Sequence, residues 1–219
     1  MGSCNTTQNE LGGKQLLLKA CKQGNVASTA TSATLTSVGH GLKVGDIVKP
    51  TQVGANTTIV VGTLYVVKTV PTVDTFTISA TLGGAAIIAD DSEAVMVWDL
   101  FKAVGGIRSK SLSFSSEGID ITNEESDEWK TMLDLAGIRS MEVSGSGVYS
   151  SYDMVSYLEA QALANSLTCL MFLSPKTGRV YSGCFKLTSF EVSGDYDAES
   201  NFSISASSSG AIGLVTIAP

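Results

Sequence analysis

The sequence predicts a mainly β protein: a β-sandwich or barrel of two sheets with one flanking α-helix, plus a small inserted β-barrel-like domain. Three observations predict it. Short runs of alternating apolar residues recur along the chain, the period-two pattern of half-buried strands. Gly, Ser and Thr, with 22 glycines among them, punctuate those runs as turns do. Only two stretches carry apolar residues at helical spacing. An apolar fraction of 43% over 219 residues is enough to bury a core, and it excludes a wholly disordered chain.

The elements fall into three zones. In the first, Gln15-Leu16-Leu17-Leu18-Lys19-Ala20 reads as a strand and Gln23-Gly24-Asn25 as a turn. The second zone, 26–91, is rich in Thr, Val, Ala and Gly, and its few charges nearly balance. Its segments 62–70 and 75–79 read as strands, with Pro71-Thr72-Val73-Asp74 as the β-turn between them, because proline presets φ for a turn. Upstream, His40-Gly41-Leu42-Lys43-Val44-Gly45-Asp46-Ile47-Val48 reads as a loop leading into a strand. The zone is expected to be a self-contained module. It resembles short β-modules with an HGL-x-x-GD stretch found in phage virion proteins.

The third zone returns to strands and is acidic. Strand candidates are 95–98, 108–115, 140–145, 167–173, 182–194 and 201–207. The last two alternate cleanly: Phe202, Ile204 and Ala206 interleave with Ser203, Ser205 and Ser207, as in a sheet with one polar face. Two stretches depart from this. Trp129, Met132, Leu133 and Ala136 have the spacing of a short helix or helical turn, capped by Thr122 or Asn123 and ended by Gly137. Residues 152–165 place Val155, Leu158 and Ala162 on one stripe, the one clear helix. The expected division is 1–25 with 92–219 as one β-sandwich domain, and 26–91 as the insert.

Catalytic and metal chemistry find little support. His40 is the only histidine and is expected to hold a turn between Gly39 and Gly41. There is no G-x-S-x-G elbow, P-loop or G-x-G-x-x-G before a helix. Ser144-Gly145-Ser146-Gly147 reads as a strand end and turn. Cys4, Cys21, Cys169 and Cys184 lack metal-ligand spacing; they read as reduced thiols, with a Cys169–Cys184 disulfide as the alternative. No cofactor and no enzymatic activity are expected. A net charge of −7 disfavours a protein that grips nucleic acid by neutralising phosphates. No apolar run reaches the ~20 residues of a membrane span, and the polar start argues against a secretory signal.

The acids themselves are concentrated. Glu117, Asp120, Glu124, Glu125, Asp127, Glu128 and Asp134 face a single base, Lys130, in the same stretch. Asp195, Asp197 and Glu199 sit in an expected hairpin loop. Neither cluster matches an EF-hand loop. The first is a candidate assembly loop, the second a candidate acidic hairpin.

Several segments in order carry a family resemblance. Gly106-Ile107-Arg108-Ser109 precedes Gly118-Ile119-Asp120-Ile121-Thr122-Asn123, then Trp129-Lys130, Gly137-Ile138-Arg139-Ser140 and Ser144-Gly145-Ser146-Gly147. The segments 183–194 and 202–210 follow. Over 10–24 and 94–213 this order resembles the major tail tube protein of long, non-contractile-tailed phages. The resemblance implies a β-sandwich with a flanking helix, hexameric rings stacked into a hollow virion tail tube, and genome ejection through it. Implied partners are further copies of the chain and the tape measure, tail tip and tail terminator proteins, with passing DNA unbound and no membrane. Assembly would take place in the host bacterial cytoplasm. Other classes make different demands: a tail terminator or decoration protein, a type VI secretion tube subunit, or a carbohydrate-binding adhesin module. The last uses exposed aromatics, and aromatic content here is 7%.

Overall fold

The computed structural model describes residues 17–124, 126, 129–134, 137–149, 153–174, 177–194 and 199–217. The chain divides into two compact units. The first comprises Met1–Gly105, Cys169–Ser182 and Gly213–Pro219; the second comprises Gly106–Thr168 and Gly183–Ile212. Among the described residues the fold is mainly β with one helix, as the alternation predicts, and the described strands pair antiparallel.

The first unit holds β1 (Leu17–Ser28), β2 (Leu35–Thr36), β3 (Ile47–Gln52), β4 (Tyr65–Thr72), β5 (Thr75–Ser79) and β6 (Glu93–Ala103). It also holds β9 (Leu167–Ser174) for most of its length, the start of β10 (Arg179–Ser193), and β12 (Gly213–Thr216). The order runs β2-β5-β4-β3-β6-β1-β9-β10, with β12 on β10. Strand β2 also returns to β1, with Ala27 opposite Thr36 and Ser28 opposite Leu35. Six strands therefore close into a small barrel, which leaves no free edge within the ring.

Alternation decides which side of these strands each residue serves. Val26, Val48, Tyr65, Val67, Met96, Trp98 and Leu100 share one core with Leu35, Phe76 and Ile78. Their neighbours in sequence, Ile47, Val66 and Phe101, join Cys21, Met171, Leu173, Val180 and Ile217 in a second core. One set of strands thus feeds two cores. Residues 26–91 lie in the same unit as β1 and β6, and their buried side chains surround Met96, Trp98 and Leu100 of β6.

Strand β1 is longer than the sequence suggests. Gln23-Gly24-Asn25 was expected to turn, but it continues the strand opposite Asp99, Trp98 and Val97. A Cβ on Gly24 would stand 2.8 Å from Leu100 Cδ1, so the glycine makes room for a core side chain and does not reverse the chain. The 71–74 turn is also displaced. Thr72 pairs with Thr75, so Val73 and Asp74 form the two-residue connection and Pro71 lies within β4.

The HGL-x-x-GD stretch is a structural latch. His40 is buried; its Nδ1 accepts the Leu42 N–H at 2.9 Å, and its ring meets Phe76 edge-on at 5.1 Å. Asp46 accepts the Lys43 N–H at 2.7 Å and the Lys19 ammonium of β1 at 2.8 Å. Lys19 also donates to the Gly45 carbonyl.

The second unit holds β7 (Ile107–Ser116), β8 (Arg139–Val148), α1 (Asp153–Leu163), the rest of β10 and β11 (Asn201–Ser208), in the order β7-β8-β11-β10. Met141 and Val143 of β8, Phe202, Ile204 and Ala206 of β11, and Phe185 and Leu187 of β10 are buried, while the intervening serines face outward or lie half-buried. Phe190 and Phe202 stack at 6.3 Å. On the helix, Val155 and Leu158 of the predicted stripe are buried, with Met154 buried beside them and Ala162 half-buried. Tyr149 Oη bonds Glu159 at 3.0 Å, and the chain leaves the helix at Asn165 in the left-handed region (φ 54°). Ser144-Gly145-Ser146-Gly147 lies inside β8 and makes no turn, because it is paired on both sides, to β7 and β11. Cys21, Cys169 and Cys184 are reduced, none of them in a disulfide.

Candidate assembly surface

The acidic stretch 117–138 continues the β7–β8 hairpin outward. Ser116 pairs with Arg139 at its base, and the Glu117 N–H bonds the Ile138 carbonyl at 2.9 Å. Farther out, Asp120 bridges Met132, the Ile121 N–H bonds the Thr131 carbonyl, and the Leu133 N–H bonds the Ile119 carbonyl. The helix expected here is absent from the described residues: two consecutive tight turns, Asn123 to Ser126 and Ser126 to Trp129, close the tip. The helical spacing of Trp129, Met132 and Leu133 loses because the backbone on both sides is committed to a ladder. Gly137 does not end a helix. It sits at φ 107° with its Cβ position 1.5 Å from the Glu117 carbonyl oxygen, so only glycine fits where the arm leaves the sheet.

Glu117, Asp120, Glu124 and Asp134 are exposed on this arm; Glu125, Asp127 and Glu128 lie outside the described residues. Asp120 accepts bonds from the Thr122 N–H at 2.9 Å and hydroxyl at 2.5 Å, and Lys130 approaches at 3.6 Å. The Thr122 bonds, and secondarily the Lys130 charge, hold the Asp120 carboxyl below its usual range. Thr122 thus organises the turn through Asp120 and Thr131 and does not cap a helix. In the second acidic cluster, Glu199 pairs with Arg108 of β7 at 2.7 Å, while Asp195 and Asp197 lie outside the described residues.

The acids were legible in sequence; the arm's apolar side chains were missed as a surface. Phe114, Ile119, Ile121, Met132 and Leu133 are exposed, and Trp129 and Ile138 reach 79% and 73% exposure. The signal that could have found them is the alternation Ile119/Ile121 against Thr131/Leu133, a hairpin pattern. Large apolar side chains gathered on one hairpin mark a binding surface. Beside them, β7 stands at the end of its strand order and is exposed along most of its length. Among the described residues no strand pairs with its outer edge, and a long edge of this kind offers backbone groups to another chain.

A β-rich chain with an exposed apolar arm and an edge strand has the surface of a structural protein that packs against other chains, and comparison with known proteins is in keeping with that class. The phage tail tube protein family matches residues 87–213, more than half of the chain, and the chain belongs to that family. Two solved structures are similar. One is from the tail of an empty gene transfer agent particle, determined with six-fold helical symmetry; it is 27% identical over 53% of this chain and 87% of its own, with a TM-score of 0.50. The other is from the virion of a native gene transfer agent particle, at 27% identity over 53% and 89%, also with a TM-score of 0.50. No curated protein matches. The family match begins at residue 87, so most of the 26–91 segment and the 10–24 stretch lie outside it.

Proposed function

We propose that this chain forms hexameric rings that stack into a phage tail tube, the conduit through which the genome leaves the virion. The observation that carries the reading is the β7–β8 arm, whose apolar side chains are exposed in the single chain and would be covered by a neighbouring ring. The six-fold symmetry of the similar gene transfer agent tail supports a ring of six. The outer edge of β7 is the candidate lateral contact. The role is structural and non-enzymatic, in the virion tail, after assembly in the host cytoplasm. Tape measure, tail tip and tail terminator proteins are the expected partners.

Electrostatics fits a conduit. Six copies at −7 each place −42 on a ring, and acids lining a bore repel phosphates by the same forces that make basic surfaces bind them. The 26–91 segment is best placed as an inserted domain on the outer face, clear of the bore. Its ends support insertion at a hairpin: Ser28 of β1 and Glu93 of β6 pair directly, so the segment stands where a short turn would join two neighbouring strands.

Negative-stain electron microscopy of the concentrated full-length protein tests the proposal. Six-fold rings and stacked tubes are expected. Solitary particles at every concentration, with and without a tail tip complex, would overturn it. Discrete rings that never stack would assign a terminator role.

A further inference from the structure

We propose that Cys21 and Cys169 form a cross-strand thiol pair that closes into a disulfide when the protein meets a peroxide, stapling β1 to β9. The register of the two strands carries the argument. Leu17 faces Leu173, Leu18 faces Phe172, Lys19 faces Met171 and Ala20 faces Leu170. One further step along both strands sets Cys21 opposite Cys169. Opposed residues of an antiparallel pair have Cα atoms about 4.5–5.5 Å apart, inside the roughly 4.4–6.8 Å span of protein disulfides. Both side chains pack against the same core, beside Phe101 and Met171, so they lie on one face of the strands. Neither cysteine is in a disulfide.

Surroundings set the order of events. The neighbouring Cys169 thiol, then burial, then the charge of Asp99 push the Cys21 thiol well above its usual range. Cys21 is therefore protonated at neutral pH and a slow target. Cys169 is half-buried and is reached first. Its thiol takes one oxygen from the peroxide, giving a sulfenic acid and one water. The Cys21 sulfur then attacks the sulfenic sulfur; the S–O bond breaks, the S–S bond forms, and the Cys21 proton leaves with the hydroxyl as a second water. In a reducing cytosol the pair stays open, and outside the cell it can close.

The test uses the full chain, treated with hydrogen peroxide and mapped by mass spectrometry without reduction. A Cys21–Cys169 crosslinked peptide, lacking two hydrogens, is expected. The melting temperature should rise by roughly 5–15 °C, since the link spans most of the chain. The rise should persist in a Cys4→Ser/Cys184→Ser variant and vanish in Cys169→Ser. Complete alkylation of both thiols after peroxide treatment, or a link from Cys21 to Cys4 or Cys184, would overturn the pairing. A Cys21–Cys169 link that leaves the melting temperature unchanged would overturn the staple.

Discussion

Replacing Asp46 by alanine removes the partner of a lysine that has nowhere else to go. Lys19 is 2% exposed, and its ammonium lies 2.8 Å from Asp46, with the Gly45 carbonyl as its other contact. Breaking a buried pair from one side costs about 3–5 kcal/mol, because the remaining charge stays desolvated. The same substitution releases the Lys43 N–H that Asp46 caps at 2.7 Å. Against a total stability of about 5–15 kcal/mol this is a large fraction. At about 2–4 °C per kcal/mol for a chain of this size, the melting temperature should fall by roughly 6–20 °C. Lys19→Met should cost less, since Asp46 keeps its bond to the backbone. The double variant Lys19→Met/Asp46→Leu should recover much of the loss by replacing two buried ions with apolar volume. Thermal and urea melts of the parent chain, Lys19→Met, Asp46→Leu and the double variant close a double-mutant cycle. A loss below about 1 kcal/mol for Asp46→Ala would refute the view that this pair is sealed from water, since exposed pairs have that size.

Other perturbations separate assembly from folding. Trp129→Asp with Ile138→Asp should leave the monomer's melting temperature nearly unchanged, because both side chains are exposed, yet abolish tubes in electron micrographs; intact tubes would remove the arm from the contact surface. Gly137→Ala should displace the arm from the Glu117 carbonyl and open 117–138 to limited proteolysis, and an unchanged digestion pattern would contradict the geometry. Gly24→Ala should cost about 1–3 kcal/mol by crowding Leu100, with partial rescue by Leu100→Ala in urea melts. Asp90 is lowered from 3.8 to about 2, first by the Thr57 hydroxyl, then by the Thr57 and Thr58 N–H bonds. A depressed carboxylate stabilises above its unfolded value and loses that contribution as pH falls through the folded one. Protection of the Thr57 and Thr58 amides, taken relative to intrinsic exchange at each pH, should therefore hold at pH 5 and fall as Asp90 protonates near pH 2, whereas Asp90→Asn should show low protection throughout.

Strand content was legible because alternation and burial are the same statement wherever one face is wet. Phe202, Ile204 and Ala206 show it. The helix was legible for the equivalent reason, with Val155 and Leu158 on one stripe. The failures came where a long-range partner outvoted a local signal. Gln23-Gly24-Asn25 looks like a turn, but Leu100, some 75 residues away, needs a glycine at that point of the strand. Trp129, Met132 and Leu133 have helical spacing, but the Ile121 N–H donates to the Thr131 carbonyl and the Leu133 N–H to the Ile119 carbonyl, and these bonds make a ladder. The acids of the candidate surface were visible as composition, whereas its apolar half was hidden because exposure is not a property of a residue alone. Short strands such as β2 carry no period long enough to detect.

The two-core arrangement makes residues 26–91 hard to transplant. Cut at 27 and 90, the remaining chain would present Met96, Trp98 and Leu100 of β6 to water, and the second core would lose Ile47 and Val66. An ancestor without the segment would have needed hydrophilic side chains at 96, 98 and 100. Family members that lack the segment should show Ser, Thr or charged residues at those places, a lineage record written in three alternate letters of one strand.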